Sequence, residues 1–319
     1  MHAGPAGSAA PSHGATSPYV PPPGAVDLPA VLAVEPHTLP PDAPARRRLG
    51  PVFWTCAAWV ALMVALAAAA PLLHLPKPNF QNYSAINSGP SLHHLLGTDE
   101  LGRDLLSRIV WGSRVSLVIG FGAIAIGMTL GGTAGMVAGY LGRWVDSTLN
   151  AGSFVILAFP PLLAIMVVEA FWRPVATWKL IVMFGVAATP QLFRVVRATT
   201  LSFATREFVL AARALGASPA RVIRRELLPN VAPAAVSFAL IGVAIAIVLE
   251  GSLAFLGLSV SLPTASLGNV INEAAQQTNL QANPLAAVWP SLYIFLLLVA
   301  LNLMADRLQA RFEVREVKL

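Results

Sequence analysis

The chain reads as all-α: a polytopic membrane protein with about six transmembrane helices. Three observations point there. Of 319 residues, 56% are hydrophobic and only 11% charged, and the mean hydropathy is +0.67; soluble domains carry about 25% charged residues. The apolar residues gather into six charge-poor runs, and at ~1.5 Å per residue such runs suit ~30 Å of bilayer hydrocarbon. Lysine and arginine concentrate between alternate runs, as topology in a membrane requires.

Residues 1–45 contain eleven prolines, several glycines and almost no aromatic residues. Such a segment cannot bury enough surface to offset chain entropy, so a disordered tail is expected, either solvated or interacting. No basic stretch precedes a short apolar core, so it is not a secretory signal. The first span is 52–73, which has 22 uncharged residues. The second is 115–141 and the third 154–171, with Pro160-Pro161 inside and Glu169 near its end. The fourth is 180–196, with Pro190 and Arg194 in its last turns; the fifth is 231–258, holding Glu250; the sixth is 286–305. Trp54, Trp111, Trp144, Trp172, Trp178 and Trp289 lie at or near span ends and suit an interfacial belt.

With the N-terminus inside, the inner side holds 15 lysines and arginines and the outer side 6. The positive-inside rule therefore places both termini and the 197–230 loop in the cytoplasm. The net charge of +6 and pI near 10.1 reflect this asymmetry and not a nucleic-acid footprint. Cys56 is the only cysteine, so neither an intrachain disulfide nor a cysteine metal cluster is possible.

Gly127, Gly131, Gly135 and Gly139 recur every four residues in the second span. Such a stripe lets another backbone approach closely, either in a second membrane subunit or within this one. Pro160 and Pro161 should kink the third span. Glu250 is the ionisable group well inside the fifth span, where a charge costs at least ~2.5 kcal/mol unless paired or wetted. It either faces a cavity or sits near the outer mouth and holds a loop. Asn302 and Asp306 suit an interhelical hydrogen bond and a helix-end contact.

Ahead of the second span, Leu101, Leu105, Ile109 and Val110 share a face, and Asp104 and Arg108 form an i,i+4 pair. This predicts a short helix lying on the outer membrane surface, with Gly97 and Gly102 in tight turns. His93 and His94 with Asp99 and Asp104 lack the convergence a metal site needs and are read as structural. Between the fourth and fifth spans, Thr205 is a candidate cap for a helix ending near Leu215, with Gly216 as its stop. Ser218-Pro219 starts a second helix, and Pro229 is expected to end it. Val209, Ala212, Leu215 and Gly216 form a small apolar face. Ala211 and Ala212 permit close contact with a groove wall, and Arg213, Arg221, Arg224 and Arg225 form a charged rim. A DNA-binding helix–turn–helix looks similar, but the short tethers to the adjacent spans exclude it.

At these residues the chain resembles the membrane subunits of bacterial ABC importers, through their "EAA" loop. Within that family it looks like the C-type permease of dipeptide and oligopeptide transporters. The resemblance spans roughly 92–315 and rests on LLGTDELGRDLLSRIVWGSRVSL (95–117), the loop at 207–230, LEGSLAFLGLSV (249–260) and NPLAAVWPSLYIFLLLVALNLMADRL (283–308). It implies the type I permease fold in a bacterial inner membrane. The implied partners are a second permease subunit, two ATP-binding subunits and an extracytoplasmic substrate-binding protein, with a peptide as substrate. The loop's first helix would be the coupling helix seated in an ATPase cleft, using Glu207, Leu210, Ala211, Ala212, Arg213, Leu215, Gly216, Ala217 and Ser218. Ala211, Ala212 and Gly216 match the family motif. Leu210 stands where its glutamate would be, with Glu207 one turn earlier, and Glu226 replaces an apolar residue or histidine. Leu267 replaces a tryptophan. A translocation path is expected near Glu250, Pro160 and Pro161.

The expected organisation is a tail (1–45), a first span with its outer loop (46–114), a core permease domain (115–310) and a cytoplasmic tail (311–319). No GxxxxGK phosphate loop is present, so ATP and magnesium belong to the partner subunits, and no cofactor or metal is expected on this chain. Rival readings are an importer of nickel or glutathione on the same scaffold, and a secondary transporter, which would show internal repeats.

Overall fold

In the computed structural model, residues 49–172 and 175–312 are described. The expected tail at 1–45 lies outside them, as does the expected 311–319 tail from residue 313 onward; residues 311 and 312 belong instead to the last helix. The described residues contain five helices long and apolar enough to cross a membrane, and a bent pair that makes a sixth.

Helix α1 (Pro51–Ala69) starts with proline at its first position, where the missing N–H costs nothing. It is apolar all round and buries Val60, Met63 and Ala67. Helix α2 (Leu105–Leu141) runs for 37 residues. The surface helix expected over 101–110 is not a separate element. Asp104 caps α2, its carboxyl accepting from Ser107 N at 2.8 Å, and 105–110 form the first turns of the long rod. A π-turn at Met128–Gly132 re-phases α2 without ending it. Gly142, at φ +62, then stops it.

The π-turn helps set the glycine stripe against α5 (Thr177–Ala204). A Cβ on Gly135 would stand 2.6 Å from the Phe193 carbonyl oxygen. One on Gly139 would stand 2.8 Å from Thr200 Cβ, and one on Gly127 2.9 Å from Leu192 Cδ1. Gly131 meets the Thr189 carbonyl more closely still. The stripe is therefore a seam within this subunit, and the alternative of a seam with a second subunit is corrected. Helix α5 continues past the expected 196 because Arg197 pairs with Asp146 through both nitrogen–oxygen contacts, extending useful packing beyond the apolar run.

Helices α3 (Arg143–Leu157) and α4 (Pro161–Phe171) meet at a 71° bend. Neither proline at 160–161 can donate to the helix ladder. Pro160, itself followed by proline, takes ψ 122, outside the helical region. Beyond α5 come α6 (Glu207–Ala214) and α7 (Pro219–Phe255). Thr205 is the C-terminal cap of α5, and Arg206 precedes α6 with no side-chain cap, so the Thr205 expectation fails. Pro229 does not end a helix either. The π-turn Val222–Leu227 precedes it, with Leu228 N–H donating to the Ile223 carbonyl, and this wider turn lets α7 continue through the proline. The expected helical hairpin is thus a short helix joined to a 37-residue rod. Helices α8 (Leu267–Ala274), α9 (Gln277–Ala282) and α10 (Leu285–Phe312) complete the order. Asn302 donates to Leu298 O of its own helix at 2.8 Å and makes no interhelical bond among the described residues.

The core forms where α1, α2, α5, α7 and α10 meet, around Leu117, Ile124, Leu192, Val243, Ile247 and Leu297. We expect Gly135→Val to clash with the α5 backbone. Overpacking of this kind costs typically about 1–3 kcal/mol, and thermal unfolding in detergent should fall accordingly. The same change at Gly152, where a Cβ meets nothing, should be neutral. Equal loss at both would refute the seam.

Candidate functional site

Helix α6 is a handle mounted on two rods. Val209 is 0% exposed and packs with Val222 and Leu227 of α7, flanked by Tyr140, Phe203 and Ala212. The Arg213 guanidinium lies 5.6 Å from the Tyr140 ring centroid, over the end of α2. The apolar face expected to point outward is therefore divided. Val209 and Ala212 hold the mount, while Phe208, Leu210, Ala211 and Leu215 are exposed, Leu215 at 88%. Residues 208, 211 and 215 share one face by helical spacing.

Glu207, Arg213, Gly216 and Ser218 are also exposed, and Ala217 is half-buried in the mount. Gly216 has φ +79 and its N–H donates to the Arg213 carbonyl, closing α6 as the sequence implies. Ser218 N-caps α7 by backbone position, its carbonyl accepting from Val222 N at 3.0 Å. Arg221, Arg224 and Arg225 remain exposed beside it.

Glu250 lies toward the other end of α7 and is 0% exposed. Its Oε2 accepts from Ser116 Oγ of α2 at 2.9 Å, and its Oε1 accepts from Ser259 Oγ at 2.7 Å. Ser116 Oγ in turn accepts from the backbone N–H of Leu267, at the start of α8, at 3.1 Å. Glu250 lines neither the cavity at the α3–α4 bend nor the one beside residues 257–262. Of its two readings, the one that holds a loop matches this geometry. Gly112 and Gly268 allow the close fit, since a Cβ on Gly268 would stand 2.8 Å from Gly251 Cα.

A second tie, not read from sequence, joins the same elements. Asp99 Oδ2 accepts from Arg103 Nε at 2.7 Å and Arg108 Nη1 at 2.6 Å. Glu273 Oε2 on α8 accepts from Arg103 Nη2 at 2.5 Å and Arg108 Nη1 at 2.6 Å. The expected Asp104–Arg108 side-chain pair is replaced by this cluster. Asp104 instead caps α2 and contacts His94 Nδ1 at 3.0 Å. The signal was present as alternating acids and arginines in 99–108, but its partner stands 165 residues away from Arg108.

Pro161 lines an apolar cavity of about 240 Å³ between the α3–α4 bend and α5, with Phe159, Ile165 and Met183. Pro160 forms the bend, and Glu250 is on a different helix at a different contact; the three do not converge.

Comparison with known proteins agrees with this architecture. The family described as binding-protein-dependent transport system inner membrane component matches residues 131–317. The glutathione transport system permease protein GsiD of Pectobacterium atrosepticum is 36% identical over 253 residues, covering 79% of this chain and 83% of that protein. A putative peptide permease protein of Brucella suis is 34% identical, covering 76% and 80%. The dipeptide transport system permease protein DppC of Alkalihalophilus pseudofirmus is 32% identical, covering 77% and 80%. Among solved structures, an inward-facing MetNI methionine ABC transporter chain aligns with TM-score 0.53 at 23% identity, over 65% of this chain and 96% of that one.

Truncating Glu250 leaves Ser116 and Ser259 without their shared acceptor. At roughly 1 kcal/mol per hydrogen bond plus a cavity term, Glu250→Ala should destabilise by about 2–4 kcal/mol. Glu250→Gln should cost less, because one amide oxygen still accepts. Thermal unfolding of both variants checks this order, and equal losses would contradict it.

Proposed function

Because this chain belongs to the family of binding-protein-dependent transport system inner membrane components, we propose that it is the multi-pass permease subunit of an ATP-driven importer of dipeptides or oligopeptides. Helix α6 is the coupling helix of this reading. The observation that carries it is the division of α6 into a buried mount, Val209, and an exposed apolar face ending in Leu215. The chain on its own gains nothing from displaying that face to water; a partner cleft buries it.

In this reading α6 lies in the cytoplasm, as the lysine and arginine count requires. Two ATP-binding subunits hydrolyse ATP and shift the clefts that hold α6 and its counterpart on a second permease subunit. Residues 205–206 and 215–218 are too short to absorb the shift, so α5 and α7 move with α6. The outer ends of α2, α7 and α8 are tied through Glu250 and the arginine cluster and rearrange as a unit. Substrate arrives from an extracytoplasmic binding protein, and Pro160 and Pro161 give the α3–α4 bend that shapes the path beside α5. This chain supplies no ATP chemistry of its own.

Glutathione is the second reading for the solute. It is favoured by the 36% identity to the GsiD protein of Pectobacterium atrosepticum, and as a tripeptide it asks the same scaffold for little change.

The coupling role is tested at Gly216. A Cβ there meets no atom, so Gly216→Val acts only through its φ of +79, a left-handed conformation that costs an L-residue roughly 1–2 kcal/mol. Peptide uptake in the assembled transporter should fall several-fold while membrane insertion is unchanged. Full uptake with normal insertion would remove α6 from the coupling path. With the ATP-binding subunits stripped away and Cys56→Ala in place, Leu215→Cys should react with a thiol reagent only from the cytoplasmic side; reaction from outside would overturn the orientation.

A further inference from the structure

We infer that the cavity enclosed by the end of α7, residues 257–262 and α8 is a binding site for a primary ammonium group, presented by the amino terminus of an incoming peptide. The inference rests on the peptide-importer reading and names the group that reading's solute would offer here. The cavity holds about 250 Å³, room for one terminal residue. Ser259, Ser261, Asn269, Asn272 and Glu273 supply its polar lining.

Hydrogen-bond accounting gives the ligand's chemistry. Asn269 Nδ2 donates to the Val260 carbonyl at 2.9 Å and the Thr264 carbonyl at 3.2 Å. Asn272 Nδ2 donates to the Ala254 carbonyl at 3.0 Å. A carbonyl can be met only by the NH₂ side of an amide, so these bonds fix both side-chain orientations. Both Oδ1 atoms are left as acceptors. Ser259 has given its hydrogen to Glu250. Glu273 receives both arginines on Oε2, and its Oε1 accepts no hydrogen bond among the described residues. Ser261 Oγ accepts from Val175 N and keeps a hydrogen to give, as does Asn272 Nδ2, which spends one of its two hydrogens on Ala254.

On its α8 side the site therefore offers three acceptor oxygens, one of them a carboxylate's, against one remaining Nδ2 hydrogen. Asn269, Asn272 and Glu273 stand at i, i+3 and i+4 on α8, so their three free oxygens belong to one helix face. Three acceptors match the three hydrogens of a primary ammonium. A bare divalent cation fits worse: it would meet twice the repulsion from Arg103 and Arg108, with one carboxylate already shared between them. An anion would face the Glu273 carboxylate and the two amide oxygens.

The test uses the assembled transporter in nanodiscs, without external binding protein, carrying Cys56→Ala and Leu262→Cys. Leu262 lines the cavity and is 65% exposed, so its replacement reports occupancy through the rate of labelling by a charged maleimide. Alanylalanine should slow labelling several-fold, N-acetyl-alanylalanine should not, and adding Asn272→Leu should abolish the protection. The two peptides are compared on an unaltered acceptor face, so a folding defect in the Asn272 variant cannot mask the answer. Equal rates with both peptides, or protection that survives Asn272→Leu, overturns the site. Failure of the importer reading would show separately, as absence of co-purifying ATPase and of peptide uptake in the same preparation.

Discussion

One helix governs this structure. Helix α7 carries the socket for α6 at Val222 and Leu227 and the buried Glu250 near its far end. The 23 positions from Leu227 to Glu250 correspond to about 35 Å of continuous helix. A helix interrupted at Pro229 would let the two ends move independently. The π-turn ahead of that proline preserves the rod, so in the proposed coupling a displacement of α6 would carry through to the Glu250 contact.

The rod acts only because its neighbours are fixed. Four glycines hold α2 against α5 at backbone distance. The Asp146–Arg197 pair and the Tyr140–Arg213 contact close the α6 end. At the other end two ties of different chemistry join α2 to α8: a carboxyl held by two serine hydroxyls, and two arginines shared between Asp99 and Glu273. Removing one partner from such a buried cluster leaves uncompensated charge, which is far costlier than losing a surface pair. Stiffness is thus concentrated at the two ends of the bundle. The bend at 160–161 falls outside both ties, and α4 beyond it exposes Leu163, Val167 and Phe171.

The helical class and the spans were legible because hydrocarbon demands long charge-free runs, and those runs are written continuously along the chain. Gly216 was legible because few residues stop a helix at positive φ. The glycine stripe was visible, but its partner was not, since a spacing of four specifies a flat face and not what lies against it. Pro229 misled because proline's missing N–H is a local fact, whereas the π-turn that accommodates it is set by how Val222 and Leu227 pack around Val209. Glu250 drew notice by its cost in an apolar run; its serine partners lie nine and 134 residues away. The arginine cluster was misassigned for a similar reason: Asp104 has the right spacing for Arg108, but it is spent on capping α2.

The central claim is that α6 and α7 move as one body when the partner ATPases close. Spin labels at Leu215→Cys and Leu228→Cys in a Cys56→Ala background, in the assembled transporter, measure this through their separation with and without trapped ATP. The account predicts one unchanged distance in both states, while a label pair from Leu215 to Leu62 on α1 changes. A Leu215–Leu228 distance that shifts with nucleotide would show α6 swinging on its own, and the transmission through α7 would be wrong.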